Sequence, residues 1–173
     1  MRIQSLLFCF LFVALAGVPG HAQIRHVRGI RSFDVGYLHS KFGAGGSLGY
    51  VRYYSNTVYG KAVAVFEQGQ DAGMSYRSIG VDIMAAKTFV HQGHTLYLNA
   101  VGGITATMDA VYSGGEQFDI GAEFKTGALF GVEGELFITD RLVLVLGWNQ
   151  RVLIREAFGT YRWYGQGGLR FNF

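Results

Sequence analysis

The chain has 173 residues, half of them hydrophobic, and carries a formal net charge of only +3. So small a charge excludes the strongly basic surface that is typical of nucleic-acid-binding domains. The single cysteine, Cys9, excludes a disulfide framework. The single proline, Pro19, in a chain with 26 glycines suits continuous strands, because proline cannot donate a hydrogen bond to a sheet.

The first 22 residues predict a cleaved export signal. Arg2 precedes an apolar run at residues 6–16, which is shorter than the roughly 20 residues that a membrane-spanning helix needs. Pro19 follows the run, and Gly20-His21-Ala22 has the small-x-small pattern of a processing site. We expect cleavage after Ala22, which lowers the charge from +3 to +2 because Arg2 is the only charge removed. An uncleaved anchor helix is the alternative.

The rest of the chain, residues 23–173, predicts eight β-strands. Side chains alternate with a period of two in eight segments, whereas no segment keeps the helical period of 3.6. Turn residues (Gly, Asn, Asp and Ser) separate the segments. In the second and third segments, Val51, Tyr53, Val63 and Val65 do not separate from their neighbours, so no face is assigned there. The eight segments are residues 32–40, 46–54, 59–67, 76–89, 95–107, 124–138, 142–155 and 160–173.

The last segment has the clearest alternation. Phe173, Phe171 and Leu169 share one face, whereas Asn172 and Arg170 lie on the other. Alternation alone fits either a soluble sandwich or a membrane barrel. An aromatic residue at the last position resembles the C-terminal assembly signal of outer-membrane barrels. We therefore interpret Leu169, Phe171 and Phe173 as a signal that the outer-membrane barrel assembly machinery recognises.

These patterns predict an all-β fold, an eight-stranded antiparallel transmembrane β-barrel in the outer membrane with both chain ends on the periplasmic side. Lipid offers no partners for backbone groups, so the sheet must close on itself. Eight strands leave an interior that side chains fill, rather than an aqueous channel. Opposite charges would neutralise one another there. The predicted lumenal polar network consists of Asp34, Asp82, Glu133, Glu135, Arg151, Arg162 and Arg170.

Aromatic residues near the predicted strand ends suit the girdles that mark membrane–water interfaces. The alternative is that aromatic residues are simply good strand formers. The residues concerned are Tyr59, Tyr76, Tyr112, Tyr161 and Trp163.

Three motifs could carry chemistry, and each has a simpler interpretation. Residues 45–49 match G-x-S-x-G, but a nucleophile elbow needs a following helix and a strand follows here. His39 and Ser40 could serve a lipid A-modifying barrel enzyme, but adjacent strand residues point to opposite faces. His91 and His94 flank a turn and lack further metal ligands nearby. We predict a protein that is not an enzyme and has no catalytic residue, cofactor or metal site.

Three segments near the end of the chain carry a family resemblance. They are residues 140–146 (DRLVLVL), 151–153 (RVL) and 168–173 (GLRFNF). In these segments the chain resembles the conjugal transfer protein TraO family. The members of that family are small outer-membrane barrel proteins of Bacteroides-type conjugative transposons. The resemblance implies a non-catalytic anchor or docking role in a conjugative DNA-transfer apparatus. The implied partners are outer-membrane lipid and other conjugation-apparatus proteins, without direct nucleic-acid binding.

Two other functions fit the same strand pattern. One is a general outer-membrane barrel for adhesion, binding or membrane integrity. The other is a lipid A-modifying barrel enzyme, for which Ser40 and Ser47 are the candidate nucleophiles. Changing either serine to alanine would leave lipid A chemistry unaltered if the protein is not such an enzyme.

Deleting Phe173 tests both the barrel and its assembly signal. We expect wild-type protein in isolated outer membranes to give a compact gel band that shifts on boiling. The band should weaken in the variant, because the terminal aromatic side chain is lost from the assembly signal. A soluble periplasmic protein without a heat-dependent shift would contradict the membrane barrel.

Overall fold

A computed structural model describes residues 27–71, 74–113, 123–154 and 161–173, which form an antiparallel barrel of eight strands. Each strand pairs with the next along the chain, and the last pairs with the first, which closes the sheet. The predicted fold is thereby confirmed, whereas the predicted export signal lies outside the described residues. The strands are β1 (Arg31–Ser40), β2 (Gly43–Tyr53), β3 (Val58–Asp71), β4 (Met74–Gln92), β5 (Leu96–Ser113), β6 (Glu123–Phe137), β7 (Leu142–Ile154) and β8 (Tyr161–Asn172).

The barrel has two different ends. At one, here called the terminal end, Phe173 N donates a hydrogen bond to the main-chain oxygen of Arg31 at 2.9 Å. Three short turns, residues 54–57, 93–95 and 138–141, lie at this end. Gly93 supplies a positive φ of 57° in the second turn, a conformation that glycine adopts without steric cost. The other end, here called the distal end, is formed by the last residues of β1, β3, β5 and β7 and by residues 41–42, which connect β1 to β2.

An apolar belt covers the outer face of every strand. Exposing so large a ring of apolar side chains to water is unfavourable, whereas the hydrocarbon of a bilayer is itself apolar and accommodates the ring. Towards the distal end the belt gives way to a polar row of His39, Gln68 and Arg77, which lie on one line of register partners that also includes Ala44. Towards the terminal end it gives way to Arg31 and Arg52. Exposed members of the belt on successive strands are Val35, Leu48, Phe66, Ile83, Ile104, Phe130, Trp148 and Leu169.

Four strands are longer than the sequence predicts by two residues or more. β2 begins at Gly43 instead of residue 46, and β3 continues to Asp71 instead of residue 67. β4 continues to Gln92 because a β-bulge between Thr88 and Val90 absorbs an extra residue and places both Phe89 and Val90 on the outer face. β5 continues to Ser113, because Asp109 and its neighbours pair with the ends of β4 and β6. The bulge interrupts the alternation of side chains, so the sequence pattern did not show that β4 continues beyond Phe89.

The predicted girdle is correct for some aromatic residues and wrong for others. Tyr161 and Trp163 lie on the outer face near the distal end. Tyr59 and Tyr76 instead point into the barrel and are buried, because their hydroxyls reach carboxylates in the interior. The side chain of Tyr112 lies outside the described residues.

Replacing Ile83 with arginine tests the apolar belt. Ile83 is exposed in the middle of β4, so we expect a loss of about 2–4 kcal/mol in unfolding free energy, the usual cost of a cation near the bilayer midplane. Gln68→Arg is the matched control, because Gln68 lies in the polar row and should cost about 0–1 kcal/mol. Urea unfolding in lipid vesicles measures both. Equal costs at the two positions would contradict a belt that faces hydrocarbon.

Candidate functional site

The interior of the barrel is the candidate functional site, because nearly all buried charges lie there. Most of the buried charges, together with two of the buried tyrosines, form three clusters. We call them the Arg170 cluster (Asp34, Lys61, Glu133, Glu135 and Arg170), the Asp82 cluster (Asp82, Arg151 and Tyr164) and the Asp109 cluster (Tyr76, Asp109, Lys125 and Arg162).

Arg170 is the centre of the first cluster and is completely buried. Its Nε and Nη2 donate to the two carboxylate oxygens of Asp34 at 2.7 and 3.0 Å. Nη2 also donates to Glu133 Oε1 at 2.7 Å. Nη1 donates to Glu135 Oε1 at 2.6 Å and to the hydroxyl of Tyr53 at 2.8 Å. A guanidinium has five N–H donors, and these five hydrogen bonds use all of them.

Lys61 is the second cation of the Arg170 cluster. Its Nζ lies 2.8 Å from Asp34 Oδ2 and 2.9 Å from Glu133 Oε2. Tyr59 donates to Glu133 Oε1 at 2.6 Å, and its ring lies 5.0 Å below the Arg170 guanidinium carbon. Two cations therefore face three carboxylates, with tyrosine hydroxyls supplying further donors. Such pairing is what buried charges require.

The Asp82 cluster is smaller and less completely bonded. Arg151 Nη2 lies 2.8 Å from Asp82 Oδ2, and the Tyr164 hydroxyl donates to the same oxygen at 2.9 Å. The Arg151 guanidinium carbon lies 4.5 Å from the centre of the Tyr164 ring. Among the described residues, Asp82 Oδ1 and Arg151 Nε have no hydrogen-bond partner. Because unpaired buried polar atoms are costly, we expect this cluster to stabilise the barrel less than the Arg170 cluster.

The Asp109 cluster lies at the distal end. Asp109 Oδ2 lies 3.0 Å from Lys125 Nζ and 2.8 Å from Arg162 Nη2. Tyr76 donates to Asp109 Oδ1 at 3.3 Å and accepts a hydrogen bond from Arg162 Nη1. Phe42, in the connection between β1 and β2, points inward with its ring 6.2 Å from that of Tyr76 and 5.3 Å from the Arg162 guanidinium carbon. An aromatic side chain therefore packs against the Asp109 cluster.

The structure divides the residues of the predicted lumenal network among the three clusters. Asp34, Glu133, Glu135 and Arg170 come together in one cluster. Asp82 and Arg151 form the second, and Arg162 belongs to the third. The predicted assembly residues Leu169, Phe171 and Phe173 lie exposed on the outer face of the last strand.

The sequence analysis missed the interior cations Lys61 and Lys125, and it also missed Asp109, which pairs with Lys125. Lys61 was missed because the inward face of β3 also carries Val63 and Val65, so the strand shows no contrast between its faces. Asp109 lies beyond the predicted end of its strand. Lys125 could have been found, because it has the same alternation phase as Glu133 and Glu135.

The G-x-S-x-G pattern at residues 45–49 does not form a nucleophile elbow. It lies inside β2, between β1 and β3. A Cβ on Gly45 would lie 1.8 Å from the main-chain oxygen of Phe66, so the close approach of the two strands requires glycine there. The pattern therefore has a structural explanation.

His39 and Ser40 are divided between the two faces of β1. His39 faces outward, with its ring 6.4 Å from that of Trp163, whereas Ser40 faces inward. Ser40 Oγ donates to Glu67 Oε1 and accepts the N–H of Phe42 at 3.0 Å, so it stabilises the turn. His91 and His94 are both exposed at the terminal end. Within the described ranges, no group of three or more His, Cys, Asp or Glu side chains could hold a metal ion.

Side chains fill the lumen where the clusters lie. A cavity of about 10 Å³ lies beside Asp34 and Lys61, which is room for about one water molecule. No helix among the described residues is long and apolar enough to cross a membrane.

Replacing Arg170 with glutamine tests the central role of this residue. The change leaves Asp34, Glu133 and Glu135 with Lys61 as their remaining cation in the cluster, so we expect a loss of about 3–5 kcal/mol in unfolding free energy. Arg170→Gln combined with Glu135→Gln should lose less than the single variant, because it removes one uncompensated carboxylate. Urea unfolding in lipid vesicles gives these values, with the exposed Arg77→Gln as a surface control. If Arg170→Gln is as stable as Arg77→Gln, the result would contradict the central role of Arg170.

Comparison with known proteins identifies solved structures that have a similar fold. No family model matches the chain, and no curated protein matches it. The N-terminal barrel domain of Pseudomonas aeruginosa OprF matches with a TM-score of 0.63 and 15% identity, over 84% of this chain and 98% of that one. OprG of the same organism gives 0.64 and 7%, over 87% and 99%. Ail, the attachment invasion locus protein of Yersinia pestis, gives 0.56 and 15%, over 84% and 100%. The shared property is the fold, an eight-stranded barrel of the outer-membrane type.

Proposed function

We propose that this protein is a non-catalytic barrel of the outer membrane that anchors a binding surface at its distal end. The observation that carries the proposal is the Arg170 cluster, which joins side chains of β1, β3, β6 and β8 across the lumen. Tyr53 of β2 and Asn99 of β5 also donate to Glu135, at 3.3 and 3.1 Å. Because side chains of six strands bridge the lumen, the two ends and the outer face are the surfaces that remain available for binding.

The apolar belt and the final strand support the outer membrane as the location. A closed sheet with an apolar exterior satisfies its backbone in lipid. The exposed Leu169, Phe171 and Phe173 form the motif that we interpret as the assembly signal. In this placement the terminal end faces the periplasm, and the distal end faces the outside of the cell.

Connection lengths support the distal end as the binding surface. The turns at the terminal end span at most four residues (54–57 and 138–141), whereas residues 114–122 of the sequence separate the end of β5 from the start of β6. Longer loops held by a rigid scaffold are the usual carriers of binding function. Ail, a fold relative, has been solved with the heparin analogue sucrose octasulfate. The separation of His39 from Ser40 supports the non-catalytic part of the proposal.

We propose a role in conjugative DNA transfer as a second candidate. Its support is the resemblance of residues 140–146, 151–153 and 168–173 to the TraO family. These segments lie in β7 and β8 and in the turn before β7. In this role the barrel would dock other transfer proteins through its terminal-end turns as well as its outer loops, which gives the two candidates different contact surfaces.

Site-specific photo-crosslinking in intact cells tests the two candidates. Gln70 and Gln92 are exposed glutamines near the distal and the terminal end, respectively, and each is replaced by a photo-reactive amino acid. The general binding role predicts adducts from position 70 only. The transfer role predicts adducts from position 92 that disappear when the other genes of the mobile element are deleted.

Two further results would contradict the main proposal. One is a steady conductance of the purified wild-type barrel in planar bilayers, which would mean that the lumen conducts. The other is a change in lipid A composition in cells carrying Ser40→Ala or Ser47→Ala, which would indicate an enzyme.

A further inference from the structure

Two arginines oppose each other on the outer face at the terminal end. Arg31 of β1 and Arg52 of β2 are direct register partners, and both side chains are exposed. Side chains directly opposite each other in an antiparallel pair have Cβ atoms about 4.5–5.5 Å apart, and like charges at this spacing are destabilising. The pair therefore calls for an anion between or beside the two guanidinium groups.

Among the described residues, no side-chain carboxylate is paired with these two arginines. The Arg52 guanidinium carbon lies 5.9 Å from the ring centre of Tyr54. The main-chain oxygen of Phe173 accepts a hydrogen bond from the backbone N–H of Arg31. Asp140 is the one carboxylate side chain in the three turns at this end, and it lies in the turn between β6 and β7.

An aromatic surface continues from the arginine pair into the apolar belt. Phe33 and Tyr50, each two residues from an arginine, are the next outward register partners, with ring centres 5.8 Å apart. Phe33 also stacks on Phe173 at 5.2 Å and pairs in register with Phe171. Residues two apart on a strand share a face, so cations and aromatic rings form one continuous outer patch. Cations here mark the boundary of the belt, where lipid headgroups lie.

We propose that Arg31 and Arg52 bind the phosphate of an anionic phospholipid in the leaflet at the terminal end. The planar guanidinium forms paired hydrogen bonds with phosphate oxygens, and the acyl chains would lie against Phe33 and Tyr50. This inference rests on the membrane location given under Proposed function. The two arginines thereby fix the height of β1 and β2 in the bilayer and favour phosphatidylglycerol over a lipid whose headgroup carries its own cation.

Native mass spectrometry of the folded full-length barrel tests this inference. The barrel is released from vesicles that contain equal amounts of phosphatidylglycerol and phosphatidylethanolamine. We expect wild type to retain phosphatidylglycerol preferentially and the double variant Arg31→Gln/Arg52→Gln to retain about tenfold less, because it loses the charge-assisted hydrogen bonds. The double variant Lys87→Gln/Arg141→Gln removes two other exposed cations near the same end and should retain wild-type amounts.

The outcomes separate this site from its alternatives and from misfolding. A heat-dependent gel shift shows, for each variant, that the barrel has folded, and this result does not depend on which lipid is bound. If Arg31→Gln/Arg52→Gln does not fold, Arg31→Lys/Arg52→Lys keeps both charges and should lose only part of the preference. Equal loss in the Lys87/Arg141 variant would overturn the proposal in favour of a diffuse charge effect. Equal retention of both lipids, or displacement of phosphatidylglycerol by millimolar inorganic phosphate, would overturn it as well.

Discussion

A strand that crosses a bilayer has no water to satisfy its backbone N–H and C=O groups, so every strand needs a partner on both sides. In this barrel the pairing of β8 with β1, from Ser32–Asn172 to Ser40–Tyr164, meets that requirement. Closure also divides the side chains, because alternate residues point either to lipid or to a lumen of fixed width. The apolar belt, the buried charges and the aromatic side chains inside the barrel all follow from this division.

The narrow lumen explains why its charges are grouped into clusters. A buried guanidinium or carboxylate without a partner costs several kcal/mol, and Arg170 avoids this cost because acceptors from β1, β2 and β6 surround it. The same contacts join strands that are distant in sequence: Arg170 and Asp34 are 136 residues apart. Polar clusters therefore close the lumen and couple the sheet across its diameter, which directs any function to the two ends and the outer face.

The outer face is not uniform. Its middle is apolar on all eight strands, whereas the arginines at the terminal end and the polar row at the distal end mark where headgroups begin. Arg31 and Arg52 face each other at that boundary, where an unpaired cation can reach lipid phosphate. Interior charges are paired within the protein, whereas these boundary charges depend on the membrane. The position of such a barrel in the bilayer thus depends on contacts with lipid as well as on contacts within the protein.

The sequence by itself determined the number of strands and the faces of β6, β7 and β8, because large apolar residues alternate with charged ones along each of these strands. Examples are Phe130 with Glu133 in β6, Leu146 with Arg151 in β7 and Leu169 with Arg170 in β8. Only the tertiary structure assigned the faces of β2 and β3, because Val51, Val63 and Lys61 share an inward face that alternation alone does not separate. Likewise, Tyr59 and Tyr76 could be placed inside only once the carboxylates of Glu133 and Asp109 lay within reach of their hydroxyls. Alternation is a local property of one strand, whereas charge pairing across a lumen depends on strand register and closure, which bring together residues far apart in the chain.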